Sequence, residues 1–165
     1  MNYTIEPKVN QEEMGSFSNE EVVRYALNYL GTDKIVLKKD IVNRSFCYNY
    51  ALNDETLEGC DEAFEQLEKY YKRIPISEVK RWDLISYHRC IIEDCDDSGN
   101  IVTEYKEPYR WNSQHFAKVL KTDGTIKGTM IRSKWGTYGI FDTQVDMIIK
   151  EYGETIIFWR RKGEL

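Results

Sequence analysis

The sequence predicts an α+β fold in which helices come first along the chain and an antiparallel sheet follows. Apolar residues recur at helical spacing before Pro75, whereas after residue 82 they alternate with the period of two that is typical of strands. The chain also holds 12 Tyr, 6 Phe and 4 Trp, bulky groups whose burial offsets the entropy lost on ordering. Its 165 residues fit the usual domain size of about 100–200 residues. We therefore predict one domain over residues 19–165, preceded by a polar, loosely packed lead-in over residues 1–18.

The first predicted helix begins at Ser18 or Asn19, which are residue types that commonly cap a helix. Glu20 and Glu21 follow in the first turn, where the helix dipole favours negative charge. An apolar stripe at helical spacing continues to residue 30, and Gly31 stands where a C-terminal stop belongs.

Two further helices are predicted before Pro75. Residues 45–52 are apolar and aromatic, with Ser45 as a suitable start residue and Cys47 in the first turn. Residues 61–74 carry a second apolar stripe, and Pro75 ends that helix.

The first predicted strand of the second half covers residues 82–88, with 89–92 as a possible extension. The polar stretch 96–100, which contains Gly99, predicts a turn. Residues 114–120 form the next strand, on which His115, Ala117 and Val119 share one face because side chains alternate along a strand.

The remainder of the sheet is predicted from a hairpin and a final strand. Asp123 and Gly124 make the hairpin turn, and residues 125–132 return as the partner strand. Residues 142–150 have helical spacing of apolar side chains and predict a short helix. Residues 154–160 form the last strand.

Charge and hydropathy exclude several classes of function. A formal net charge of −5 leaves no broad cationic surface, so we predict binding neither to nucleic acid nor to anionic membranes. No apolar run approaches the roughly 18 residues of a membrane-spanning helix. The first residues lack the pattern of a secretory signal peptide, so we predict a cytoplasmic location and free thiols at the four cysteines.

Cys47 and His115 are the candidate catalytic pair. A cysteine nucleophile needs a lowered thiol pKa, a nearby base and donors for the developing oxyanion. The start of a helix beside an imidazole lowers a thiol pKa to roughly 3.5–7.5, and Cys47 lies at the predicted start of a short helix. The simpler interpretation is that Cys47 is a core residue, since cysteine is among the most buried residue types.

Four short stretches are each too short to indicate a family alone, but their order along the chain is more specific. They read Phe-Cys-Tyr-Asn-Tyr-Ala-Leu from residue 46, Trp-Asp-Leu-Ile-Ser-Tyr from 82, Gln-His-Phe-Ala-Lys-Val-Leu from 114, and Ile-Arg-Ser-Lys-Trp-Gly from 131. The ordered set, with Tyr-Gly at 152–153 and Phe-Trp-Arg-Arg at 158–161, resembles a divergent branch of the NlpC-type papain-like cysteine peptidases and amidases. The resemblance covers residues 20–161 and implies a papain-like fold, with N-terminal helices packed on an antiparallel sheet.

The resemblance also implies roles for individual residues. Cys47 takes the place of the nucleophile that begins a helix, His115 that of the base that opens a strand, and Ser133 that of the third polar group on the next strand, with Arg132 as an alternative. Trp135, Tyr48 and Trp82 fall at positions expected to shape a substrate groove, although a core role for Trp135 explains that residue equally well. The chain departs from the family's Asp-Cys-Ser-Gly, which is Phe-Cys-Tyr-Asn at 46–49, and from the Gly of Gly-Asp-Leu-Ile, which is Trp82.

A zinc site is the rival interpretation of the remaining cysteines. His88, Cys90 and Cys95, with Cys60 as a fourth ligand, would supply the Cys₃His set that structural zinc uses. The spacing is unfamiliar, so we predict ordinary thiols and neither a metal nor a cofactor. His88 is predicted to be a solvated residue at a strand edge, and Asn112 and Gln114 to be surface polar residues.

The predicted function is a thiol hydrolase that cleaves an amide bond in a peptide or other amide substrate, such as a bacterial cell-wall peptide. The alternative is a catalytically silent papain-like domain that binds a protein partner, since a fold does not imply an activity. The sequence feature that favours the alternative is the absence of a His, Asn or Gln at the third catalytic position.

Overall fold

The computed structural model describes residues 2–30, 35–39, 46–136 and 138–163. The helices of these residues are α1 (Gln11–Met14), α2 (Asn19–Leu30), α3 (Cys47–Leu52) and α4 (Cys60–Tyr70). The strands are β1 (Tyr3–Thr4), β2 (Ile35–Lys39), β3 (Tyr71–Ile74), β4 (Leu84–His88), β5 (Ile91–Cys95), β6 (Ile101–Tyr105), β7 (Ser113–Lys121), β8 (Met130–Lys134), β9 (Ile140–Gln144) and β10 (Thr155–Arg161). Short 3₁₀ turns lie at Ile76–Glu78, Arg110–Asn112 and Lys150–Tyr152.

Eight strands form one sheet in the order β1-β10-β4-β7-β8-β9-β2, with β3 also paired to β10. All of its strand pairs are antiparallel. Strands β5 and β6 form a separate antiparallel hairpin. The mixture of helices with a mainly antiparallel sheet confirms the predicted α+β class.

Helices α3 and α4 pack on one face of the sheet, and alternation along the strands decides which side chains meet them. Phe116 of β7 and Ile157 of β10 belong to the same buried cluster as Cys47 and Phe64. Ala117 and Val119 of β7 point to the opposite face and join a cluster with Ile85 and Ile156. A third cluster, around Trp135 and Phe141, packs beneath α2.

The start of α2 follows the prediction. The Glu21 amide donates to the Ser18 hydroxyl, and the Ser18 amide donates to the Glu21 carboxylate, each at 3.2 Å. This reciprocal pair satisfies two backbone donors that a helix start leaves without partners. The predicted stop at Gly31 and the predicted start at Ser45 lie outside the described residues.

The predicted helix over residues 61–74 is wrong in its last turn. The helix ends at Tyr70, and Tyr71–Ile74 is strand β3, paired with β10 from Phe158 to Arg161. The strand pairing supplies backbone partners that a further helical turn would forfeit, and it buries Ile74 in the core.

The predicted helix over residues 142–150 is also wrong. Residues Ile140–Gln144 are strand β9, which pairs with both β2 and β8. The Arg132 guanidinium of β8 binds the carboxylate of its cross-strand partner Asp142 through two hydrogen bonds of 2.7 and 3.0 Å. Backbone pairing with two neighbouring strands, supported by this cross-strand ion pair, therefore outweighs the apolar spacing that indicated a helix.

Two predicted strands begin later than expected. Strand β8 starts at Met130 instead of residue 125, because Asp123 and Thr125 hold a turn: the Thr125 amide donates to the Asp123 carboxylate, and the Gly128 amide donates to the Thr125 hydroxyl. Strand β4 starts at Leu84, and residues beyond His88 leave the sheet for the β5–β6 hairpin instead of extending it.

The first residues of the chain are packed, which corrects the expected loose lead-in over residues 1–18. Ile5, Val9 and Met14 are buried in the same clusters as the rest of the chain. Strand β1 pairs with β10, and Val9 forms a parallel bridge with Ile149. Over the described residues, the structure has no helix with the length and apolar character to cross a membrane.

Candidate active site

Cys47 is the first residue of α3, and Asn49 fixes the start of that helix. The Phe46 amide donates to the Asn49 side-chain oxygen at 3.0 Å. The Asn49 side-chain amide in turn donates to the carbonyls of Asp54 and Leu57, both at 2.9 Å. These bonds tie the helix start to the loop that leads into α4. Only 7% of the Cys47 surface is exposed.

The pKa of the Cys47 thiol lies well below its ordinary value. A hydrogen bond from the Cys60 thiol is the largest cause, and burial opposes it. The His115 imidazole lowers the pKa further through contact and charge, and the Phe116 backbone amide adds a hydrogen bond. The site therefore stabilises the thiolate, which is the nucleophilic form of cysteine.

The start of β7 leaves backbone groups free for these contacts. Pairing between β7 and β8 runs from Lys121 to Lys118, so the start of β7 lies beyond the paired ladder. The Phe116 amide is therefore available to the thiol, and His115 lies one residue earlier. The His115 imidazole therefore lies near enough to the Cys47 thiol to lower its pKa, although neither ring nitrogen makes a hydrogen bond to a described residue.

His115 is held by aromatic rings on both sides. Its imidazole stacks on Tyr152 with a centroid separation of 4.0 Å and an interplanar angle of 4°. The Tyr87 ring lies at 5.3 Å, tilted by 54°. The imidazole is buried, and neither ring nitrogen makes a hydrogen bond to a described residue. Stacking, not a polar third residue, therefore sets the orientation of this ring.

Ser133 makes a different contact from the one its predicted role requires. Its hydroxyl accepts a hydrogen bond of 3.1 Å from the Trp135 indole N–H. Ser133 is buried on β8, the strand next to β7, but it does not hold the His115 ring. The neighbouring alternative, Arg132, is bound to Asp142.

Lys134 is a site residue that the sequence analysis missed. Its side chain is buried, and the ammonium donates to the carbonyls of Gly136 and Tyr138. Burial lowers the pKa of Lys134, while the Cys47 thiolate opposes that change, so the two charges interact. Lysine is almost never fully buried without a partner, and its position at a strand end gave no sign of burial.

Cys60 is the second residue whose role was missed. It is the first residue of α4 and packs against the cluster that contains Cys47. The neighbouring thiolate and burial raise the pKa of Cys60, so this thiol remains protonated and serves as a donor. The separation of 13 positions between the two cysteines gives no signal, because the contact depends on how α3 and α4 pack.

The three predicted substrate-binding residues do not form one surface. Trp135 is buried against Phe141, with ring centroids 4.6 Å apart, and is a core residue. Tyr48 is also buried and stacks on Phe46. Trp82 is 48% exposed and lines a cleft of about 470 Å³ at the C-terminal end of α3, away from Cys47. The cleft and the thiol are therefore separate features.

His88 is not the solvated edge residue that was predicted. It is buried, with one ring nitrogen bonded to Ser86 at 2.8 Å and the other to Asn112 at 3.2 Å. Asn112 is buried too, whereas Gln114 is exposed as predicted. Burial lowers the pKa of His88 to about 4, so the ring is neutral at pH 7.

The proposed zinc set is not assembled by these residues. Both nitrogens of His88 have partners, Cys95 is exposed on the separate hairpin, and Cys60 lies with Cys47. Within the part of the chain that the structure describes, no three His, Cys, Asp or Glu side chains are grouped to hold a metal ion.

Comparison with known proteins found no matching family model, no matching curated protein and no matching solved structure.

Proposed function

We propose that the protein is a thiol hydrolase that cleaves an amide or peptide bond with Cys47 as nucleophile and His115 as general acid and base. The observation that carries the proposal is a thiol of lowered pKa at a helix start, in contact with an imidazole. Cys60 lowers the pKa of the Cys47 thiol, and the buried Lys134 ammonium interacts with the Cys47 charge. No cofactor enters the proposed reaction.

In the proposed reaction the Cys47 thiolate attacks the carbonyl carbon, and the carbonyl oxygen becomes an oxyanion. The amide groups at the start of α3 lack helical partners, so the Cys47 N–H is a donor for that oxyanion. His115 protonates the leaving amine as the carbon–nitrogen bond breaks. A water molecule, deprotonated by His115, then hydrolyses the thioester and releases the acid.

Two observations support a papain-like, NlpC-type fold as part of the proposal. The ordered stretches of the resemblance lie on neighbouring strands, since β4, β7 and β8 are adjacent in that order. Trp82, which replaces the family's Gly before Asp83, has a φ of +73°, a backbone conformation that glycine adopts without strain. The backbone at Trp82 therefore has a conformation that suits the family's glycine, although this chain has tryptophan at that position.

The proposed substrate class is a peptide or related amide, with cell-wall peptides included. The proposed setting is a reducing compartment such as the cytoplasm, which is supported by four cysteines that are all free. A direct test incubates the protein with a panel of peptides and cell-wall stem peptides and measures newly released amines with an amine-reactive dye. Release by the wild type, abolished in Cys47→Ala and retained in Cys95→Ala, supports hydrolysis.

A catalytically silent binding domain is the second candidate, and two observations favour it. The Cys47 side chain is largely covered, and His115 has no polar orienting group among the described residues. This candidate predicts no amine release from any peptide in the panel, together with binding of a peptide or protein partner that survives Cys47→Ala.

A further inference from the structure

Two thiols meet where α3 and α4 begin. Cys47 and Cys60 are the first residues of these helices, and both contribute to the cluster that packs α3 and α4 against the sheet. Cys60 packs against the buried cluster that contains Cys47, and α3 contacts α4, so the two thiols lie close enough to interact. The hydrolysis proposed above needs only one of them.

The other two cysteines are placed differently. Cys90 is buried outside this cluster, and its sulfur accepts a hydrogen bond from Asn112. Cys95 is exposed at the end of β5 on the separate hairpin. All four thiols are free, and Cys47 and Cys60 are the two that share a hydrophobic cluster.

The residue before Cys60 is loosely surrounded. Gly59 precedes Cys60 in an extended conformation, and a Cβ atom added there would meet nothing within 4 Å. Cys60 itself is only partly buried. The Cys60 carbonyl accepts a hydrogen bond of 3.4 Å from the Ser113 hydroxyl at the start of β7, which holds the backbone of Cys60 while its side chain stays partly accessible.

We propose that Cys47 and Cys60 are a redox-active dithiol, which a hydroperoxide oxidises to an intramolecular disulfide with Cys60 as the resolving thiol. The proposal does not depend on amide hydrolysis, since it uses the two sulfur atoms and needs no peptide substrate.

The reaction balances in two steps. The Cys47 thiolate attacks one peroxide oxygen, so a sulfur–oxygen bond forms, the oxygen–oxygen bond breaks, and the departing oxygen leaves as water or an alcohol after protonation. Cys60 then loses its proton and attacks the Cys47 sulfenic acid, so the disulfide forms and water leaves. Two thiols are oxidised, and one hydroperoxide is reduced by the same two electrons.

Because the Cys47 side chain is largely covered, a small oxidant reaches its sulfur most easily. With 7% of its surface exposed, the residue admits a molecule the size of hydrogen peroxide more readily than the disulfide of another protein. Disulfide formation removes the proposed nucleophile, and reduction by a thiol restores it. Oxidation would therefore switch the Cys47 site off reversibly.

The test uses full-length protein in which Cys90 and Cys95 are replaced by Ser, so that only the junction thiols remain. The reduced protein is treated with hydrogen peroxide, alkylated under denaturing conditions and analysed by intact mass and peptide mapping. We expect the loss of two hydrogen atoms, no alkylation at Cys47 or Cys60, and recovery of both sites after dithiothreitol. The wild type should give the same linked peptide pair.

The matched variant is Cys60→Ser in the same background. Without a resolving thiol, Cys47 should give a sulfenic acid that dimedone traps and then gain two oxygen atoms as a sulfinic acid. Circular dichroism before treatment establishes that the variant is folded. The proposal is overturned if Cys60 stays alkylatable while Cys47 is oxidised to the sulfinic acid in the parent protein, or if peroxide modifies neither residue. Because the readout is mass, failure here leaves the hydrolase proposal standing.

Discussion

The imidazole of His115 and the ring of Tyr152 stack almost parallel, with centroids 4.0 Å apart and planes 4° from parallel. Gly153 follows Tyr152 at a φ of +108°, and a Cβ atom there would collide with the backbone of His88. This close approach fixes the chain beside Tyr152 against β4. Stacking on Tyr152 therefore holds the imidazole, a role that the sequence analysis assigned to a polar residue.

Replacing Tyr152 tests whether stacking positions His115. Tyr152→Leu removes the ring, and we expect the rate of Cys47 alkylation to fall about two- to tenfold, matching the roughly 0.5–1.5 kcal/mol of an aromatic pair. Tyr152→Phe keeps the ring and should leave the rate nearly unchanged. Mass spectrometry of the labelled peptide over time measures both. Equal losses in the two variants would show that the hydroxyl, and not stacking, matters.

Lys134 is predicted to stabilise the Cys47 thiolate by its charge. Lys134→Met should raise the pKa of Cys47 by about one unit, because a nearby opposite charge of this kind shifts a pKa by about 1–3 units. The pKa is measured from the pH dependence of the alkylation rate, with thermal melting to verify the fold. Lys118→Met is the control, because that cation lies at the cleft beyond the other end of α3. A raised pKa in both variants would point to a general loss of positive charge.

His88 should make stability depend on pH. Its pKa is about 4 when folded against an ordinary value of 6.5, so the unfolded chain binds the proton more tightly. The stabilisation is therefore complete above pH 6.5 and declines as pH falls, by about 1.4 kcal/mol per unit and roughly 3 kcal/mol by pH 4.

Urea unfolding at several pH values measures this contribution. Because other groups also titrate near pH 4, the informative quantity is the difference between the wild type and His88→Gln. That difference should shrink steadily between pH 6.5 and pH 4. A difference independent of pH would mean that His88 is not held neutral by burial.

Trp82 carries a strained backbone that glycine would relieve. Its φ is +73°, and its indole lies between the guanidinium groups of Arg81 and Arg132, with cation-to-centroid distances of 4.6 and 6.0 Å. Trp82→Gly and Trp82→Ala both lose the indole, but only glycine tolerates the left-handed conformation. We expect the glycine variant to be more stable than the alanine variant by about 1 kcal/mol, as measured by urea unfolding. Equal stabilities would contradict a strained φ.

The helices and strands that were predicted correctly are those fixed by residues close together in the sequence. A cap residue followed by two acidic residues marked α2, and alternation marked β7. The missed strands, β3 and β9, are decided by long-range pairing with β10 in one case and with β2 and β8 in the other. Short segments with ambiguous periodicity take the structure that their neighbours impose.

In the candidate site, too, some residues could be predicted from local patterns and others could not. Cys47 and His115 were singled out from residue type and order, because a cysteine at a predicted helix start and a histidine at a predicted strand start are local patterns. Cys60 and Lys134 reach the site only through the packing of α4 on α3 and of β8 beside β7. No pattern in the sequence connects either residue to Cys47.

Cys60 and His115 together hold the pKa of the Cys47 thiol below its ordinary value. An unshifted thiol is only about 0.3% ionised at pH 6, so the four thiols should differ in how their alkylation depends on pH. Exposure changes the reaction rate of a thiol at every pH, whereas the pKa sets the pH at which the rate rises. Comparing the pH profiles of the thiols, instead of single rates, therefore removes the effect of unequal exposure.

The decisive measurement is therefore the iodoacetamide alkylation rate of each cysteine from pH 4 to pH 9, by peptide mass spectrometry, in the wild type and in His115→Ala. We predict that the Cys47 profile rises at a lower pH than that of exposed Cys95, and that it moves upward in His115→Ala while the Cys95 profile stays fixed. A Cys47 profile that coincides with that of Cys95, or one unmoved by the histidine change, would contradict the account.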